Sequence, residues 1–154
     1  MSFINYTDIA ETLESKLKSI FSDSVFLQVR VVHDDKDLVV RSHHREILTS
    51  ILDYLHANYD LTGFFKESLY GKIIIFSVKD FINIYKKIEF PNLLLYYKSN
   101  FFNRIKIIEN KLNKNKPTGY LELKDKFYKL FNEENIDINQ YLEVRAEFEE
   151  MRYK

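Results

Sequence analysis

The chain has 154 residues, 45% apolar and 30% charged, which is enough to bury one core and too rich in large side chains for a disordered polymer. Lys and Arg balance Asp and Glu at 23 each, so no global field draws it to nucleic acid or to a membrane, and any such attraction must come from a local patch. It has no cysteine, which excludes disulfides, thiol nucleophiles and thiolate metal sites, while 13 Phe and 11 Tyr put much of the core's bulk into aromatics.

The segment Met1 to Asp8 lacks the basic-then-apolar order of a signal peptide, and no apolar run is long enough to span a bilayer. The expectation is a cytoplasmic protein with no membrane contact. Asn5 or Thr7 is placed to cap a first helix reaching about Phe21, with Ile9, Leu13, Leu17 and Ile20 at helical spacing. From Val25 the period changes to two, and Val25, Leu27, Val29 and Val31 alternate with Gln28 and Arg30. A polar loop, His33 to Asp37, then leads into a second strand, Leu38 to Arg41, as in a hairpin.

Ser42 stands at an N-cap position, and Ile47, Leu48, Ile51, Leu52 and Leu55 form the apolar face of a helix ending near Asn58. Gly63 and Gly71 bracket Phe64 to Tyr70, read as an edge strand or an irregular loop. Lys72 to Phe76 is apolar on both faces, which predicts a central strand. Ser77 and Asp80 have capping-box spacing ahead of Phe81, Ile84, Tyr85 and Ile88, so a helix is predicted there, and Pro91 either ends it or begins the next. The stripe Leu94, Tyr97, Phe101, Ile105, Ile108 and Leu112 predicts the longest helix, closed by a linker from Asn113 to Gly119. Two more helices, roughly Tyr120 to Asn132 and Ile138 to Arg152, complete the chain, the second with Asp137 and Gln140 at capping-box spacing.

The fold this implies is a single α+β domain: a small, mostly antiparallel sheet of three to four strands with packed helices over residues 1–90, then an all-helical C-terminal half over 91–154. The sheet core is expected to include Val29, Val31, Val40, Ile73, Ile75, Leu48, Ile51 and Leu55.

Charge is segregated along the chain. Between Lys79 and Lys116, nine basic residues face three acidic ones, whereas between Glu133 and Glu150, seven acidic residues face Arg145 alone. Cations on a long helix neutralise phosphates and release counterions, which makes Lys98, Arg104, Lys106, Lys111, Lys114 and Lys116 the candidate contacts to nucleic acid or a nucleoprotein. The acidic end is read as a protein-docking surface centred on Glu143, Glu147 and Glu150, or as a segment that covers the basic helix within the molecule. Four glutamates between Ile138 and Glu150 argue against a helix-turn-helix, because a recognition helix lies between walls of phosphate.

His33, Asp34, Asp35 and Asp37, with His43, His44 and Glu46, form the densest set of metal-ligand types. A strand from Leu38 to Arg41 separates the two groups by about 13 Å, and the contiguous His43 and His44 do not share a helix face, so no metal site and no cofactor are expected. His44 and His56 each stand four residues from a leucine and are read as partly buried packing residues.

Phosphate-loop and serine-elbow motifs are absent, which leaves no catalytic constellation. The leading expectation is a non-enzymatic binding protein, of the kind that phages and mobile elements carry, using the basic helix toward nucleic acid. The alternatives are a protein-binding immunity, antitoxin or inhibitor module that docks through the acidic C-terminal helix, and a metal-dependent nuclease built on the Asp34/Asp35/Asp37 loop.

Overall fold

The structure, a computed structural model, describes residues 5–23, 25–68, 71–112 and 116–153. The chain divides into two compact units, Met1–Tyr97 and Lys98–Lys154.

In the first unit α1 (Tyr6–Phe21) is capped by Asn5, whose side chain accepts from the Asp8 N–H at 3.1 Å. It buries Ile9, Leu13, Leu17 and Phe21, while Ile20 stays partly exposed. Strands β1 (Leu27–Val32), β2 (Asp37–Ser42), β3 (Gly63–Ser68) and β4 (Gly71–Ser77) form one antiparallel sheet in the order β1-β2-β4-β3. The fold class is therefore α+β, with β4 central as its two-faced apolar pattern predicts and the segment after Gly63 an edge strand. The turn joining β1 to β2 holds His33, Asp34 and Asp35 at φ of 56°, 56° and 63°, a left-handed run that Asp tolerates better than most residues. The outer edge of β1 is met by α1, since Glu14 Oε1 accepts from the Val29 N–H at 2.8 Å, leaving that backbone donor unavailable for another strand.

Helix α2 (Arg45–Asn58) lies across β2, β4 and β3. Its N-cap is His44, and Ser42 ends β2 instead, its hydroxyl accepting from the His44 N–H at 3.3 Å. His44 is half-buried, as its spacing suggested, whereas His56 is exposed.

Register decides which side of the sheet is core. Val29 pairs with Val40, Val40 with Ile74, and Leu38 with Phe76, and all five are buried beneath the helices. The expected core members Ile73 and Ile75 lie on the opposite face, half-exposed, and Val31 is half-exposed as well. Because β4 is apolar at successive positions, its sequence alone does not say which set turns inward.

The helix expected over Phe81 to Ile88 is instead a 3-10 turn, Val78–Asp80, followed by successive turns with bonds such as Tyr85 N–H to Phe81 and Ile88 N–H to Ile84. Long-range contacts hold the end of this segment to α1. The Lys16 ammonium donates to the carbonyls of Lys86 and Ile88 at 3.0 and 2.6 Å, and the Tyr85 hydroxyl donates to Asp8 at 2.8 Å. Phe81 and Ile88 are still buried.

The second unit comprises α3 (Leu93–Asn110) from Lys98 onward, α4 (Tyr120–Asn132) and α5 (Ile138–Met151). Asp137 caps α5, accepting from the N–H groups of Asn139 and Gln140 at 3.0 and 3.4 Å. An aromatic core joins the three helices: the Phe101 ring lies 4.6 Å from Tyr141 and 5.8 Å from Phe127, and Phe127 lies 5.9 Å from Phe148. All four side chains are fully buried, and burial, with Glu133 nearby, pushes the Tyr141 hydroxyl up to about 12.

Candidate nucleic-acid interface

A helix carrying many cations presents a basic face only if they share its outward stripe. In the second unit the exposed positions of α3 are Ser99, Asn103, Ile107 and Asn110, all uncharged. The cations flank that stripe and lean onto neighbouring helices.

Lys98 stands over the Phe131 ring at 4.9 Å, with its ammonium 3.4 Å from the Glu133 carbonyl. Arg104, only 17% exposed, pairs with Glu149 at 3.3 Å. Glu149 also takes Arg152 at 3.1 Å and Arg145 at 4.0 Å. Burial pushes the Glu149 carboxyl up, but these three guanidinium groups outweigh it and hold it below its ordinary value. In this part of the unit, one acidic C-terminal residue, Glu149, neutralises one cation of the long helix, Arg104.

Two of the remaining predicted cations, Lys106 and Lys116, converge on Glu109. Glu109 is buried on α3, and the ammonium groups of Lys106 and Lys124 each approach its carboxylate to 3.4 Å. Lys116 reaches its main-chain carbonyl at 3.4 Å, and the Tyr120 hydroxyl donates to the carboxylate from the other side. Helical spacing builds this arrangement: Lys106 is three residues from Glu109, and Tyr120, Lys124 and Tyr128 recur every four residues along α4. Lys106 also donates to the Tyr128 hydroxyl at 3.3 Å, and both Lys106 and Lys124 lie within 5.8 Å of the Tyr128 ring centre.

Three lysines thus gather at Glu109, two on its carboxylate and Lys116 on its main-chain carbonyl, and together they exceed its charge by two. Burial alone pushes the Glu109 carboxyl up, but the Tyr120 hydroxyl, Lys106 and Lys124 outweigh it and hold it below 4.5. The bond to Tyr128 raises Lys106, Glu109 raises Lys124, and burial with the bond to Glu109 raises the Tyr120 hydroxyl. Both ammoniums stay charged across the physiological range. Lys106 and Lys124 are 40% and 31% exposed and Tyr128 is 37% exposed, so the cluster presents cations and a ring to solvent.

Of the residues expected to contact nucleic acid, the structure brings Lys106 and Lys116 together, leaves Lys111 exposed nearby in sequence, and places Lys98 and Arg104 in other contacts. Lys114 lies outside the described residues. Lys124, Tyr120 and Tyr128 were not singled out from the sequence, although the four-residue spacing of Tyr, Lys and Tyr on α4 was the available signal.

On α5, Glu143, Glu147 and Glu150 follow at steps of four and three and share one stripe; Glu143 and Glu150 are exposed, and Glu147 pairs with Lys126 at 3.4 Å. A groove of about 290 Å³ runs between α4 and α5, floored by Leu123 and Met151 and edged by Glu122, Glu147 and Glu150.

The histidine region does not converge. Asp34 and Asp35 are exposed at the turn, Asp37 meets His33 Nδ1 at 2.7 Å, and His43 stacks on Phe26 at 4.5 Å. Among the described residues no three His, Asp or Glu side chains are grouped to hold a metal ion. Among them, too, no helix is long and apolar enough to cross a membrane.

No family model matches this chain, and neither a curated protein nor a solved structure is similar to it.

Proposed function

We propose that the protein is a non-enzymatic binding protein that engages nucleic acid through the lysine and tyrosine cluster at the C-terminal end of α3. The observation that carries this reading is the charge imbalance at Glu109: a buried carboxylate needs about one counter-charge, and it has both Lys106 and Lys124 on it, with Lys116 a third cation at its main-chain carbonyl. Ammonium groups that share one carboxylate can turn to phosphate oxygens with little loss, and the half-exposed Tyr128 ring offers a base a surface to stack on.

The test is fluorescence anisotropy of the full chain against labelled single-stranded DNA, RNA and duplex DNA at low and physiological salt. Binding on the order of 10⁻⁵ M that weakens as salt rises is expected, with a log–log slope of about −2 to −3 for three phosphate contacts. Changing Lys106, Lys116 and Lys124 to Glu should reduce affinity at least about tenfold. Equal binding by this triple variant, or no binding by the native chain at low salt, refutes the proposal.

A second reading rests on the groove between α4 and α5. Its apolar floor suits the stem of a partner's Lys or Arg, and Glu147 and Glu150 suit its charged head, as in an inhibitor or antitoxin that docks on a basic protein. An oligo-arginine peptide serves as probe. Binding lost when Glu143, Glu147 and Glu150 become Gln supports this surface, and binding unaffected by those changes removes it.

A further inference from the structure

The sheet of the first unit has a second face, away from α1 and α2, whose composition is unusual for a solvated surface. Antiparallel sheets that face water normally alternate apolar inward with polar outward. Here the outward row across the middle of the sheet reads Arg30, Val39, Ile75, Phe64, and the next row reads Gln28, Arg41, Ile73, Lys66. Phe64 is 55% exposed, and Val39, Ile73 and Ile75 are half-exposed.

We infer that this face is a docking surface for an acidic amphipathic helix of a partner protein, laid along β4 over Ile73 and Ile75. The register supplies the argument. Arg41 on β2 and Lys66 on β3 both pair with Ile73, so they stand on either side of the apolar line along β4. Two interstrand spacings put them about 10 Å apart, close to the 10–12 Å width of a helix. A helix seated there would place acids from both flanks of its apolar seam against Arg41 and Lys66. Neither cation has an ion-pair partner among the described residues. Arg30 is already held by Glu14 at 3.2 Å, and Asp37, the one acid of this face among the described strand residues, is engaged by His33.

Other occupants fit less well. Single-stranded nucleic acid needs aromatic platforms, and the centre of this face is Val and Ile, with Phe64 as the one ring in the two rows. A second copy laid face to face would oppose one cationic rim to another.

The test uses a synthetic helical peptide with leucines at i, i+3, i+4 and i+7 and glutamates on both flanks, titrated into the full chain. Anisotropy gives affinity and backbone amide shifts give location. Micromolar binding with shifts on β2, β3 and β4 is expected, weakened about tenfold by Arg41→Glu with Lys66→Glu and unchanged by the charge-matched pair Lys87→Glu with Lys129→Glu. Phe64→Ser, at an exposed edge-strand side chain, gives a second reading should the double variant fail to fold, and it too should weaken binding. The inference is overturned by any of four results. These are no peptide binding, equal loss in both charge variants, self-association that shifts these same strands, or shifts produced there only by an oligonucleotide or anionic vesicles. None of them depends on the lysine cluster of the second unit.

Discussion

Glu109→Gln separates stability from binding, because the two should move in opposite directions. Glutamine keeps the size of the side chain and an oxygen for the Tyr120 hydroxyl, but it removes the carboxylate charge that opposes both Lys106 and Lys124 at 3.4 Å. Breaking a fully buried ion pair costs 3–5 kcal/mol, and because these ammoniums are 40% and 31% exposed, water screens the loss to about 2 kcal/mol. For a chain of this length that lowers Tm by about 4–8 °C, readable by circular dichroism. The excess charge of the cluster rises from two to three, so affinity for single-stranded DNA at low salt should rise about three- to tenfold and the salt slope should steepen by about one. A variant that is folded but binds more weakly would refute the polyanion reading. An unchanged Tm would show that Glu109 is not the structural counter-charge of the lysines.

Acid should destabilise the second unit through Glu109 and Glu149, whose native carboxyls are both held below 4.5. Their contribution is complete above the unfolded value of 4.5 and is lost as pH falls through the lower native values, so urea midpoints should hold steady down to about pH 5 and drop below it. A decline confined to the range above pH 5 would contradict this assignment. Phe127→Ala should cost about 3–5 kcal/mol in denaturant melts, since the ring is fully buried against Phe101 and Phe148; a loss under 1 kcal/mol would mean the aromatic core is not built as described. Gly63→Ala should cost about 1–3 kcal/mol, because a Cβ there would run into the Phe76 ring directly across the β3–β4 pair; a neutral result would show that Phe76 moves aside freely.

Much of the fold was legible because it rests on local rules. Asn5 and Asp137 are caps with short-range hydrogen bonds, and the apolar repeats of α4 and α5 set the limits of those helices closely. The hairpin of β1 and β2, the central place of β4 and the change from sheet to helices after Ser77 were legible for the same reason. The stretch after Phe81 is the exception: its periodicity is helical, yet it forms successive turns, its end tied to Lys16, far away in sequence, through the carbonyls of Lys86 and Ile88.

Periodicity, caps and charge runs therefore determined which elements exist and the α+β class. Tertiary structure decided which side of them matters. β4 has apolar residues at both phases, and only its pairing with β2 turned Ile74 and Phe76 inward and left Ile73 and Ile75 between Arg41 and Lys66. A count of cations along α3 could not say that Arg104 is spent on Glu149 while Lys106 and Lys116 gather with Lys124 around Glu109. The reason is that a charge acts through space: its effect depends on which carboxylates and rings come within a few ångströms, and contacts between helices distant in sequence set those distances.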